Sequence, residues 1–156
     1  MEHNAMKDAG MTLLELVMVM VVIGGLTIIT GPPLAQHLRS SMTRTATYEF
    51  RLAHSLARST ALRYGRVAEL HIDAANAQFW VEVDTSGTGV RDTVGFLHKP
   101  GNGKLTMKST RSLLCFDARG LATTRAACES ADATIVFAMA GRTNTVQITP
   151  LGKVLR

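Results

Sequence analysis

Apolar side chains fill almost every position from Met11 to Thr30, with Glu15 as the only charge in the run. About 20 helical residues at about 1.5 Å rise cover the roughly 30 Å hydrocarbon layer of a bilayer, so the run predicts a single membrane span. A cleaved secretory signal is the alternative, and it calls for a basic front, a shorter apolar centre and a small-residue cut site. The front here sets Lys7 against Glu2 and Asp8, and the run ends in Thr30-Gly31-Pro32-Pro33 without such a site. Retention of the segment is the favoured expectation.

Beyond Pro33 the pattern becomes amphipathic. Leu34, Leu38, Met42, Ala46, Ala53, Leu56, Ala57 and Thr60 recur at three- and four-residue steps, which places them on one side of a helix that packs on a domain. Pro32 and Pro33 either kink one long helix or separate two, because proline removes a donor and crowds the preceding turn. After Gly65 the period changes to alternation, and 66–73 and 76–84 read as two strands joined by a short turn. Further strands are expected around 104–108, 112–116, 133–139 and 143–149. Glycines from Gly87 to Gly103 mark a long connection, and Gly141-Arg142 reads as a hairpin turn. The fold class is α+β, a long N-terminal α-helix followed by an antiparallel β domain.

Length limits what else can be present. The chain has 156 residues, 46% of them hydrophobic, enough for one span and one modest domain of about 90 residues. Its formal net charge is +5, and loss of the first ten residues, which carry −1, leaves +6. Such a balance suits anionic lipid or nucleic acid but does not require either. His37, Arg44, Arg51 and Arg58, spaced seven apart, form a basic stripe on the helix. A solvated face, a contact with acidic neighbours and a nucleic-acid surface are its three readings, the last weakened because no aromatic residues for stacking are interleaved with the arginines.

An ionised carboxylate at the head of a membrane-length helix costs roughly 2.5–3.5 kcal/mol, so Glu15 needs a partner or a task. Its context is Gly10-Met11-Thr12-Leu13-Leu14-Glu15. A short polar leader ending in Gly, followed by a Met, Thr, two aliphatics and Glu, resembles the class III signal of type IV pilins and type II secretion pseudopilins. The resemblance implies a leader at 1–10, cleavage between Gly10 and Met11, N-methylation of Met11, a transmembrane half-helix at 11–31, an amphipathic periplasmic half at 32–64 and a periplasmic β domain at 65–156. Met11 stands where Phe is commonest. Glu15 would then face the amine of Met11 in a neighbouring subunit, an opposite charge that offsets desolvation. A Glu that reaches water at the cytoplasmic interface is the plain alternative.

Two further segments carry a narrower likeness, to the H-type minor pseudopilins and FimT-like minor pilins (GspH/FimT). Cys115-Phe116-Asp117-Ala118-Arg119-Gly120 looks like the Phe-x-x-x-Gly strand and turn of that group, and 141–156 resembles its terminal hairpin. The implied fold is a long helix packed on a β-sandwich-like domain. FimT-like competence pilins end in a Gly-Arg-x-Arg element that contacts DNA; here Lys153 replaces its first Arg and Arg156 lies one residue too far along. Arg142, Lys153 and Arg156 are the candidate DNA contacts under that reading.

Cys115 and Cys128, the two cysteines of the chain, would close a loop of about 14 residues, and a periplasmic domain lies in an oxidising compartment, so a disulfide is expected. Two buried thiols are the alternative; a metal reading is weaker, since no Cys-x-x-Cys or ligand-spaced His cluster accompanies them. His71 and Asp73 share a strand face and His54 adjoins Ser55, but neither pair has the third group of a catalytic or metal site. No enzyme, cofactor or metal site is expected. The resemblance implies a filament subunit of the bacterial inner membrane with a periplasmic domain. Its partners would be other pseudopilins or pilins, a prepilin peptidase/N-methyltransferase and an inner-membrane assembly platform. The leading assignment is the type II secretion pseudopilus, with a DNA-binding FimT-like pilin as the alternative.

Overall fold

The computed structural model describes residues 12–124, 128 and 132–155, with the side chains of 27–39 and 102 outside that description. The chain divides into two compact units, 1–37 and 38–156. Helix α1 spans Leu13–Tyr64, so the segment around Pro32 and Pro33 is helical and not a break between two helices.

In the first unit α1 begins at a built cap. Thr12 Oγ1 accepts a hydrogen bond from the Glu15 N–H at 3.3 Å, and the Thr12 carbonyl accepts from the Glu15 and Leu16 N–H groups. This is half of a Ser/Thr-x-x-Glu capping box, and it also sets an acidic side chain in the first turn, where the helix dipole favours it. The large apolar side chains from Leu13 to Leu26 are exposed. Among the described residues no helix is long and apolar enough to cross a membrane.

In the second unit the rest of α1 packs on two four-stranded antiparallel sheets. The strands are β1 (Ala68–Asp73), β2 (Gln78–Val83), β3 (Asp92–His98), β4 (Thr106–Ser109), β5 (Leu113–Phe116), β6 (Ala133–Met139), β7 (Arg142–Ile148) and β8 (Val154–Leu155). One sheet runs β3-β2-β1-β5 and the other β4-β6-β7-β8. Alternation does the sorting: Leu70, Ile72, Phe79, Val81, Ile135, Phe137, Val146 and Ile148 turn into one core. Against them α1 presents Thr43, Ala46, Phe50, Ala53, Ala57, Thr60 and Ala61. Phe50 meets Phe79 edge-on with centroids 5.2 Å apart and Phe137 at 6.0 Å, so one helix ring is shared between the two sheets.

Several expectations change here. Met42 is exposed and Thr43 takes the buried position, its hydroxyl donating to the Ser40 carbonyl at 3.1 Å. Strand β3 occupies part of the expected long connection. It is an edge strand whose pairing with β2 shifts register between Phe79 and Val81, and Phe96 and Leu97 are both exposed on it. That irregularity removes the alternation a sequence reading depends on. The β6–β7 turn is Ala140-Gly141, one residue earlier than expected, with Met139 paired to Arg142.

Candidate functional site

Glu15 lies in the first turn of α1 among exposed apolar side chains, Leu14, Met18, Val19, Val22 and Ile23, that line a shallow recess with it. A carboxylate within a lipophilic surface, at the positive end of a helix dipole, is equipped to meet a cation brought by another molecule. Gly10 and Met11, the expected cut site and methylated terminus, lie outside the described residues, as does Arg156.

The other candidate contacts do not converge. Arg142 opens β7 and Lys153 precedes β8, and both are exposed. Thr149 N–H donates to the Lys153 carbonyl at 2.9 Å, so Lys153 sits beside the far end of β7. Seven residues of extended chain separate Thr149 from Arg142, roughly 23 Å at about 3.3 Å per residue.

The basic stripe is also divided. Arg44 is exposed, and with Tyr48 and half-buried Arg51 it lines a crevice against Asn144 and Thr145. Arg58 turns inward, its Nε donating to the Gly120 carbonyl at 2.8 Å.

That bond explains the Phe116–Gly120 segment. Phe116 is buried and meets His54 edge-on at 5.0 Å. Asp117 Oδ1 accepts from the Arg119 and Leu121 N–H groups, which curls the chain back. Gly120, at φ 70°, then lies so close to α1 that a Cβ would stand 3.2 Å from Leu62. The terminal segment docks on the same place, since a Cβ on Gly152 would come within 3.1 Å of the Phe116 ring. The two segments of narrower likeness therefore meet each other, and their shared residues serve packing. His54, at their centre, is pushed down to about 4 by burial first and the Arg58 charge second, against an opposing hydrogen bond to the Gly152 backbone.

Cys115 and Cys128 form a disulfide, with Cα atoms 5.7 Å apart. His71 and Asp73 do not act together. Asp73 caps the β1–β2 turn, and its carboxyl is held below the usual range by hydrogen bonds from Asn76. His71 instead faces Glu69 and Glu82, each at 3.3 Å. Linear spacing did not assemble this group. The Glu-x-His step on β1, read together with the β1–β2 pairing, would have found it.

No family model matches the chain, and no curated protein matches it in sequence. Solved structures do match. The type IV minor pilin FimU of Pseudomonas aeruginosa is 19% identical, with a TM-score of 0.55 over 72% of this chain and 86% of its own. The minor pseudopilin EpsH from the Type 2 Secretion System of Vibrio cholerae is 12% identical, with a TM-score of 0.56 over 73% of this chain and 94% of its own. At such identities the likeness is one of fold: the chain has the type IV pilin-like fold, common to a minor pilin and an H-type minor pseudopilin.

Proposed function

We propose that the chain is a minor subunit of a pilin-like filament, and that the filament is a type II secretion pseudopilus that drives protein export. In this reading a prepilin peptidase cuts after Gly10 and methylates Met11. Residues 11–31 hold the protein in the bacterial inner membrane as a single pass, and the C-terminal domain stands in the periplasm. An assembly platform then passes the subunit into the filament. The role is structural, carried by surfaces and not by a reaction.

The observation that carries it is the contrast along α1. From Leu13 to Leu26 its large apolar side chains are uncovered, whereas from Thr43 to Ala61 one face is sealed in a core. Apolar surface on that scale needs a cover, first lipid and then the corresponding helices of other subunits. Glu15, set among those side chains, takes the amine of a neighbouring Met11, which fixes the axial step between subunits. The fold is shared with FimU and EpsH alike, which supports a filament subunit of the minor pilin kind without choosing the system.

The test is made in cells. Substitution of Gly10 should leave an uncut precursor, and Glu15→Ala should be cut but poorly incorporated; normal assembly of both variants sinks the proposal. Deletion of the chain should stop export. Export left intact with transformation lost, together with salt-dependent duplex binding that weakens in Lys153→Ala/Arg156→Ala, would move the assignment to a DNA-binding pilin.

A further inference from the structure

The outer face of β1 and β2, turned away from the core, holds a group of three potential metal ligands. Glu69 and His71 are two positions apart on β1 and share that face. The register sets Glu69 opposite Glu82 and His71 opposite Trp80. His71 Nε2 lies 3.3 Å from Glu69 Oε2 and 3.3 Å from Glu82 Oε2, and one donor atom from each of the three residues falls within 4.8 Å of the others.

Hydrogen bonding does not account for this arrangement. Nε2 of His71 is closed off from solvent and makes no hydrogen bond, although two carboxylate oxygens stand beside it. Both oxygens are close enough but lie off the ring N–H direction. Donors bound tetrahedrally at about 2.0–2.2 Å from a zinc ion stand roughly 3.3–3.6 Å apart, and the His71 nitrogen stands 3.3 Å from a carboxylate oxygen of each glutamate.

The three side chains are also held in place. The His71 ring stacks on Trp80, centroids 5.1 Å apart and planes 6° from parallel. Trp80 Nε1 donates to Glu82 Oε1 at 2.7 Å, which leaves Oε2 for the inner position. The Glu69 side chain is only 6% exposed, and two carboxylates supply the charge that balances a divalent cation.

We propose that Glu69, His71 and Glu82 bind one divalent transition-metal ion of the zinc type, with water as the fourth ligand. One nitrogen and two oxygens suit zinc or cobalt better than calcium or magnesium, which take oxygen ligands throughout. Arg91, paired with Glu69, is the competing occupant; it precedes β3, its side chain is 43% exposed, and it can swing out when a metal enters. Cys115 and Cys128, also within reach of Glu69, are bonded to each other and supply no ligand.

The full-length chain, free of any affinity tag and held in detergent, is titrated with Zn²⁺ by calorimetry and with Co²⁺ by visible absorption. The expected result is saturation at one equivalent, with cobalt bands of tetrahedral intensity that zinc displaces. H71Q and E82Q should each weaken binding by at least about tenfold. R91A, which removes the competing cation and no ligand, should bind more tightly. No saturable uptake by the unaltered chain, or binding by H71Q and E82Q equal to it, overturns the proposal. Should those two variants fail to fold, R91A decides, and affinity no greater than that of the unaltered chain then overturns it.

Discussion

Arg58 on α1 donates through Nε to the carbonyl of Gly120, 62 residues further along the chain, at 2.8 Å. The bond ties the helix to the turn after β5, and it satisfies a carbonyl that faces a helix flank and not water. Arg58→Ala should lower stability by about 1–2 kcal/mol, the range for a part-buried hydrogen bond from a charged donor. Arg44→Ala, at an exposed position of the same stripe, should stay within about 0.5 kcal/mol. Urea unfolding of the two variants side by side checks the difference.

Phe50 is the ring on which both sheets close, fully buried and in contact with Phe79 and Phe137. Phe50→Ala should cost about 3–5 kcal/mol, since the cavity opens between two sheets that cannot both collapse into it. Phe50→Leu should recover most of that loss. If thermal unfolding shows the alanine variant within about 1 kcal/mol of the parent, the shared-ring account of the core fails.

Burial and the Arg58 charge hold His54 at about 4 in the folded chain, below its ordinary value of 6.5. The folded state therefore favours the neutral ring, while the unfolded chain takes up a proton as pH falls through the ordinary value. Stability from this residue is complete above pH 6.5, declines as pH drops toward 4 and is gone below that, by up to roughly 3 kcal/mol. His54→Gln, with nothing to titrate, should flatten that part of the stability profile. An equal slope in both proteins would show that other groups drive it.

The β6–β7 turn puts a non-glycine residue, Ala140, at φ 47°, followed by Gly141 at φ 81°. Two positive φ values in a two-residue hairpin loop are the geometry that Asn-Gly fits best. Ala140→Asn or Ala140→Gly should raise stability by about 0.5–1 kcal/mol by relieving left-handed strain. Chemical denaturation with an unchanged m-value is the expected signature.

The parts legible in the sequence were those written in local period. The apolar run, the helix to Tyr64 and the β1–β2 pair follow from spacing alone. Strand β3 was hidden because its register shift and Gly95 interrupt alternation, and β8 because two residues carry no pattern. Thr43 does not read as a core position because a hydroxyl is polar, yet its bond to Ser40 is made within the helix. The group around His71 depends on cross-strand register, which links Glu69 to Glu82 across 13 positions. Arg142 and Lys153, close in the terminal segment as written, are drawn apart by the full length of a strand.

The alanines at 46, 53, 57 and 61 are all fully buried where α1 meets the sheets. Because interiors are close-packed, their methyl groups set the clearance between helix and strands for the whole domain. A larger residue at any of the four must be matched by a smaller one on the strand it faces. Divergence in this domain should thus proceed through compensating pairs, while the exposed helix surface drifts one residue at a time.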